Sequence, residues 1–206
     1  RTCHPDLVDD VEVIDGMEIP VRMDSFDRGI FSNELGIIVD SPKSINPFYD
    51  STRWSVYGGI CGINGGQAAI TEVDEGAPAL VAMGWAGKIS AVQARLSKPE
   101  LNAGVAFRIA SVDDYWAVVA DPNDTRQWLR ILRVVNGKVE EVGHTQENSL
   151  NVFAATLVTV RFEDDGFSIW VDGSISTRVR DDTFADADQS AGLVGVDRSA
   201  RGARFD

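Results

Sequence analysis

The 206-residue sequence predicts an all-β antiparallel sandwich. Three observations predict it. Short apolar runs recur from Met17 onward, cut by Gly, Asn and Asp. Many of these runs alternate apolar and polar residues with a period of two, as a half-buried strand requires. No apolar pattern of period 3.6 persists beyond two turns, so helices carry little of the fold. Roughly a dozen short strands spaced by turn residues must close into a sandwich or barrel to bury one face of each.

Residues 1–16 are acidic and irregular, with Asp9-Asp10 and Asp15-Gly16 as turn signals. They are expected to form an N-terminal arm or linker, and residues 17–206 the sandwich domain. The start without an initiator Met or a signal peptide, and the end on Arg204-Phe205-Asp206, lead to the expectation of a piece of a longer polypeptide.

Strands are expected over 54–63, 67–73, 79–85 and 88–96. Residues 103–109 and 115–120 flank Ser111-Val112-Asp113-Asp114 as a hairpin. Asn136-Gly137 joins strands 128–135 and 138–142, because a primed turn needs positive φ at both central residues. Leu157-Val158-Thr159-Val160-Arg161-Phe162 stops at Glu163-Asp164-Asp165-Gly166. Phe167-Ser168-Ile169-Trp170-Val171 follows, and Asp172-Gly173 turns the chain into strand 174–180. Short helical turns are expected only within 44–50 and 183–190.

The net charge of −13 disfavours nucleic acid, whose phosphates an acidic surface repels. No apolar run reaches the length of a membrane span. Cys3 and Cys61 make no disulfide framework; they could pair, with free or buried thiols the default. His4 and His144 are far apart, neither has an evident partner, and no Cys–His spacing suggests zinc.

Two stretches carry a resemblance. The first runs through Gly104-Val105-Ala106-Phe107-Arg108, Asp114-Tyr115-Trp116-Ala117-Val118-Val119 and residues 129–138. It continues through Leu157-Val158-Thr159-Val160, Val171-Asp172-Gly173, Asp182-Thr183-Phe184, Ala191-Gly192-Leu193-Val194-Gly195 and Phe205-Asp206. This order resembles the concanavalin A-like jelly rolls of the LamG and keto-glycoside-hydrolase-related superfamily, which implies an antiparallel jelly-roll β-sandwich. The second stretch is Asp24-Ser25-Phe26-Asp27-Arg28, Leu35-Gly36, Trp54 and residues 62–68. It is similar to the opening of jelly-roll domains in minor tail proteins of actinobacterial phages, with a longer loop before Trp54 and no tryptophan at Gly62-Ile63. That resemblance implies a virion or extracellular location, other virion or tail proteins as partners, and a homo-oligomer.

Within such a fold, a glucanase places glutamates two or four apart on one strand so that both face the cleft. Glu72 and Asp74 sit at a strand end beside turn residues, and Glu140-Glu141 face opposite ways. No nucleophile motif appears, so no enzyme and no catalytic residue are expected. Binding is supported instead. Alternation puts Val105, Phe107 and Ile109 on one face and Ala106 and Arg108 on the other. Trp128 and Arg130 share a face opposite Leu129 and Ile131. Arg108, Trp116, Trp128 and Arg130 are therefore the candidate carbohydrate-binding residues, with the aromatic and cationic character that sugar sites use. Trp170 is expected in the core, which also competes for Trp116 and Trp128. No cofactor is expected; Asp24, Asp27 and Asp206 are the carboxylates that could hold a structural calcium between first and last strands, an assignment not made. The function expected is a structural or adhesion domain of a phage tail that binds host cell-surface carbohydrate; the alternatives are a carbohydrate-binding module of a secreted bacterial protein and a keto-glycoside-hydrolase-like enzyme domain.

Overall fold

The computed structural model describes residues 31–32, 54–64, 67–84, 89–123, 127–151, 153–187 and 190–205. In chain order the strands are β1 (Phe31–Ser32), β2 (Ser55–Tyr57), β3 (Gly59–Asn64), β4 (Gln67–Val73), β5 (Ala79–Gly84), β6 (Ala91–Lys98), β7 (Ala103–Ser111) and β8 (Asp114–Asp121). They continue as β9 (Trp128–Val135), β10 (Lys138–His144), β11 (Thr156–Glu163), β12 (Gly166–Val171), β13 (Ser174–Val179), β14 (Ser190–Gly195) and β15 (Arg204–Phe205). Two 3₁₀ turns, Ala185–Ala187 and Arg198–Ala200, are the helical elements among the described residues.

These strands form two antiparallel sheets packed as a jelly-roll β-sandwich. One has eight strands in the order β1-β3-β4-β15-β6-β11-β12-β13, and the other seven in the order β10-β9-β8-β7-β14-β5-β2. The hairpin turns stand where the sequence places them. Asn136 and Gly137 have φ of 50° and 72°, and Asp172 and Gly173 have 48° and 80°, the left-handed pair that matches the strand twist.

Apolar side chains from both sheets meet between them, including Phe107, Trp116, Leu129, Ile131, Val158, Val160, Ile169 and Phe205. Phe167 centres this interior: its ring lies 4.9 Å from Phe107 and 5.0 Å from Trp116, both edge-to-face, the geometry the ring quadrupoles favour.

The fold departs from the sequence expectation at two places. The single strand expected over 54–63 is two, divided at Gly58 with φ of 64°. Its missing side chain matters, since a Cβ there would sit 2.0 Å from the Pro78 carbonyl oxygen. The break sends β2 to the edge of the seven-stranded sheet and β3 into the eight-stranded one. Trp170 is not core. Phe167, Ile169 and Val171 take the inward positions of β12, so Trp170 stands half-buried on the outer face with Arg161 4.3 Å over its ring. Cys61 is a free, buried thiol, pushed up to about 12 by burial; Cys3 and the arm over 1–16 lie outside the described residues, as do the helical turn expected within 44–50 and Asp24, Asp27 and Asp206.

Candidate functional site on the outer face of the seven-stranded sheet

Register assigns a side to every residue of the seven-stranded sheet. Tyr115, Ala117, Val119 and Asp121 of β8 stand opposite Val134, Leu132, Arg130 and Trp128 of β9. On the far side of β9, Val139, Glu141 and His144 stand opposite Val134, Leu132 and Arg130. On the other flank, Ala106 pairs with Gly192 and Gly104 with Val194. These residues face away from the sandwich interior. The middle of this outer face is apolar, with Leu80, Ala82, Ala106, Ala117, Val119, Leu132, Val134 and Val194 all buried. A cleft of about 640 Å³ opens on it, lined by Tyr57, Tyr115, Val134, Val139, Val196 and Ser199 among others.

One end of the face is polar. The imidazole of His144, exposed to solvent, stacks on the Trp128 indole with ring centres 3.6 Å apart and planes at 22°. Its Nδ1 lies 2.8 Å from the Thr145 carbonyl oxygen, which fixes the ring. Beside the stack, Arg130 donates from Nε to Glu141 Oε2 at 2.8 Å and from Nη1 to Asn102 Oδ1 at 2.8 Å. Asn102 in turn donates from Nδ2 to Asp197 Oδ2 at 2.7 Å, and Asp197 also accepts from the amide and hydroxyl of Ser199. Asp121, the register partner of Trp128, accepts from the backbone and side-chain amides of Asn123. The result is an aromatic platform edged by oriented charged groups, of which Arg130 and Glu141 reach solvent and Asp121 is buried.

The structure separates the four residues that the sequence groups. Trp128 and Arg130 do share the outer face, with Trp128 8 % exposed beneath His144. Trp116 is 0 % exposed inside the sandwich, its Nε1 donating to the Thr183 carbonyl at 2.9 Å. Arg108 is 1 % exposed and also points inward, with its guanidinium 5.4 Å from the Phe162 ring and 5.8 Å from that of Phe167. The cause is a bulge. Arg108 has φ of 49°, and β7 loses register with β8 after Phe107. The bulge turns two consecutive side chains inward and moves Ile109 to the outer face with Ala106. Arg108 and Trp116 are thus held away from any surface ligand.

A second bulge explains two residues the sequence reading misses. β10 pairs Glu141 with Leu132 and Gly143 with Ile131, leaving Val142 as the extra residue. Strict alternation would put Glu141 and His144 on opposite faces; the extra residue puts them on the same one. The signal was Gly143 itself, since a lone glycine inside a strand pattern marks bulges. His144 is therefore not partnerless, as its stack with Trp128 shows.

No protein-family model and no curated protein sequence matches the chain. Solved structures do. The chain is similar to a carbohydrate binding module CBM66 from Bacillus subtilis, at 13% identity and a TM-score of 0.50, over 74% of this chain and 91% of that one. It also matches the apo Crh5 transglycosylase at 13% identity and a TM-score of 0.43, over 89% and 73% of the two chains. A third match is the catalytic domain of an endo-1,3-beta-glucanase (laminarinase) from Thermotoga petrophila RKU-1, at 12% identity and a TM-score of 0.42, over 79% and 89%. The likeness to the carbohydrate binding module agrees with the jelly-roll fold.

The matches also correct one expectation. The exclusion of an enzyme, drawn from the lack of two carboxylates on one strand, does not stand, because the matched structures include a transglycosylase and a glucanase catalytic domain. Two carboxylates need not share a strand: Glu141 of β10 and Asp121 of β8 reach the same face from different strands.

Proposed function

We propose that this chain is a glycan-binding jelly-roll domain that holds sugar on the outer face of its seven-stranded sheet, at the end marked by Trp128 and His144. The observation that carries the reading is the exposed imidazole stacked on a tryptophan beside the Arg130–Glu141 pair. A flat π surface takes the C–H face of a pyranose, and charged groups accept and donate to its hydroxyls more strongly than neutral ones do. The likeness in fold to a carbohydrate binding module supports it. The setting we propose is a phage virion, as a minor tail or tail-tip component that grips host cell-surface carbohydrate alongside other tail proteins and copies of itself. What supports that setting is the run Asp24-Ser25-Phe26-Asp27-Arg28 with Trp54 and residues 62–68; most of it lies outside the described residues.

The test is binding of the purified chain to host cell walls and to a glycan array, with His144→Ala and Arg130→Ala alongside. Each substitution should weaken binding about tenfold, as expected for losing one stacking or charged contact, with an unchanged urea midpoint. Wild-type-like binding by both variants refutes the site. Reducing-end release from the bound glycan is measured in parallel, and release abolished by Glu141→Gln would reassign the face from binding to hydrolysis. Mass spectrometry of purified virions tests the setting.

A further inference from the structure

The eight-stranded sheet also has an outer face, and its chemistry is unlike the rest of the molecule. Inward positions are taken by Ala94 and Leu96 of β6, Val158 and Val160 of β11, Phe167 and Ile169 of β12, and Phe205 of β15. Alternation therefore puts Arg95, Arg161, Arg178 and Arg204 outward. Glu163 is on the same face and pairs with Arg178 at 3.2 Å. Among the described residues, Arg95 and Arg204 have no carboxylate within ion-pair distance. This concentration of cations occurs in a chain of net charge −13.

Register also sets their spacing. Arg204 lies at the Lys98 level of β6, Arg95 three residues along, and Arg161 opposite Ala91; Arg178 is reached from Arg161 across Ser168. With the usual rise per residue and strand separation, neighbours on this diagonal are roughly 10–14 Å apart. Such spacing cannot converge on one small anion. It also fits poorly with duplex nucleic acid, which carries a charge about every 1.7 Å and which the overall negative field opposes. A chain polymer with one charge per sugar or two matches it better. Uncharged groups stand beside the track: the half-buried Trp170, with Arg161 over its ring, and Gln93 donating from Nε2 to Thr159 Oγ1 at 2.7 Å.

We propose that this face is a second binding surface, for an extended carboxylate-bearing polysaccharide lying along the Arg204–Arg95–Arg161–Arg178 diagonal. It is independent of the Trp128–His144 site, which occupies the opposite side of the sandwich. The test is affinity electrophoresis and calorimetry of the 206-residue chain with polygalacturonate, neutral dextran and duplex DNA at low ionic strength. Polygalacturonate should bind, and weaken steeply with added salt, while dextran and DNA should bind at least tenfold more weakly. The Arg95→Gln/Arg204→Gln double variant, which leaves the Arg161–Trp170 contact intact, should lose at least tenfold in affinity with an unchanged urea midpoint. His144→Ala should bind polygalacturonate as the wild type does. No binding by the wild type, full binding by the double variant, or DNA bound as tightly as polygalacturonate would each overturn the proposal.

Discussion

Arg108 carries its charge into the sandwich and spends it on main-chain carbonyls, donating to Gly166 O at 3.1 Å and Asp181 O at 3.0 Å. Replacing it with Met keeps much of the bulk but strips both carbonyls of a charged donor. Arg108→Met should lower stability to urea by about 3 kcal/mol and leave glycan binding as it was; a variant as stable as the wild type would show that the pocket rearranges freely. Asp181, next to it, is caught between opposing influences. Burial acts against its charged form, but the hydroxyl and amide of Thr183 and the charges of Arg133 and Arg108 outweigh that, and its carboxyl titrates below the ordinary value. A folded-state pKa below the unfolded value of about 3.9 stabilises fully above that value, and the contribution is lost as pH falls through the folded one. Stability should therefore drop on acidification below about pH 4, and Asp181→Asn should flatten that drop. Identical acid limbs for the two proteins would contradict it. Neither residue's role is visible in the sequence, where alternation puts Arg108 on an outer face as a candidate sugar contact.

Bulges decide what the strands display. Deleting Val142 removes the extra residue, so Glu141 and His144 stand two apart in regular pairing with β9 and His144 should keep its place on the outer face. The chain has two histidines, so the His144 ring protons can be followed by NMR. Their ring-current shift from Trp128 should persist in the deletion variant together with the strand signature in circular dichroism; a lost shift would mean the register adjusts elsewhere. Two glycines separate conformational from steric demand. At Gly173, with φ of 80°, a Cβ would meet nothing within 4 Å, so Gly173→Ala should cost only the left-handed backbone penalty of about 1–2 kcal/mol. At Gly192 a Cβ would lie 1.7 Å from the Val81 carbonyl oxygen, inside the β14–β5 pairing. Gly192→Ala should cost about 3 kcal/mol or more, and urea midpoints that order the two variants the other way would refute the distinction.

The whole molecule is joined by pairings between distant parts of the chain. β15, formed by Arg204–Phe205, sits inside the eight-stranded sheet between β4 and β6, and Phe205 is 1 % exposed in the core. Truncation after Gly202 would leave two inner strands with unpaired edges and a hole between the sheets. Such a chain should show no cooperative urea transition; a sharp one would mean that β4 and β6 can close on each other. Most of the strands were legible in the sequence because period-two alternation and Asn-Gly or Asp-Gly turns are local signals, set by the pleat and by the need for positive φ. That covers the hairpins around Asn136-Gly137 and Asp172-Gly173, the sandwich class, and the shared face of Trp128 and Arg130. The candidate site was legible only in that last pair. Local pattern could not place Arg108 or His144, since one inserted residue reverses the side on which every later side chain emerges, whereas Trp170 follows plain alternation with Phe167, Ile169 and Val171. Nor could it show that Glu141 meets Arg130, or that four scattered arginines line one face in an acidic chain. Those facts depend on which strands neighbour which, and that is decided only when two sheets close over a common interior.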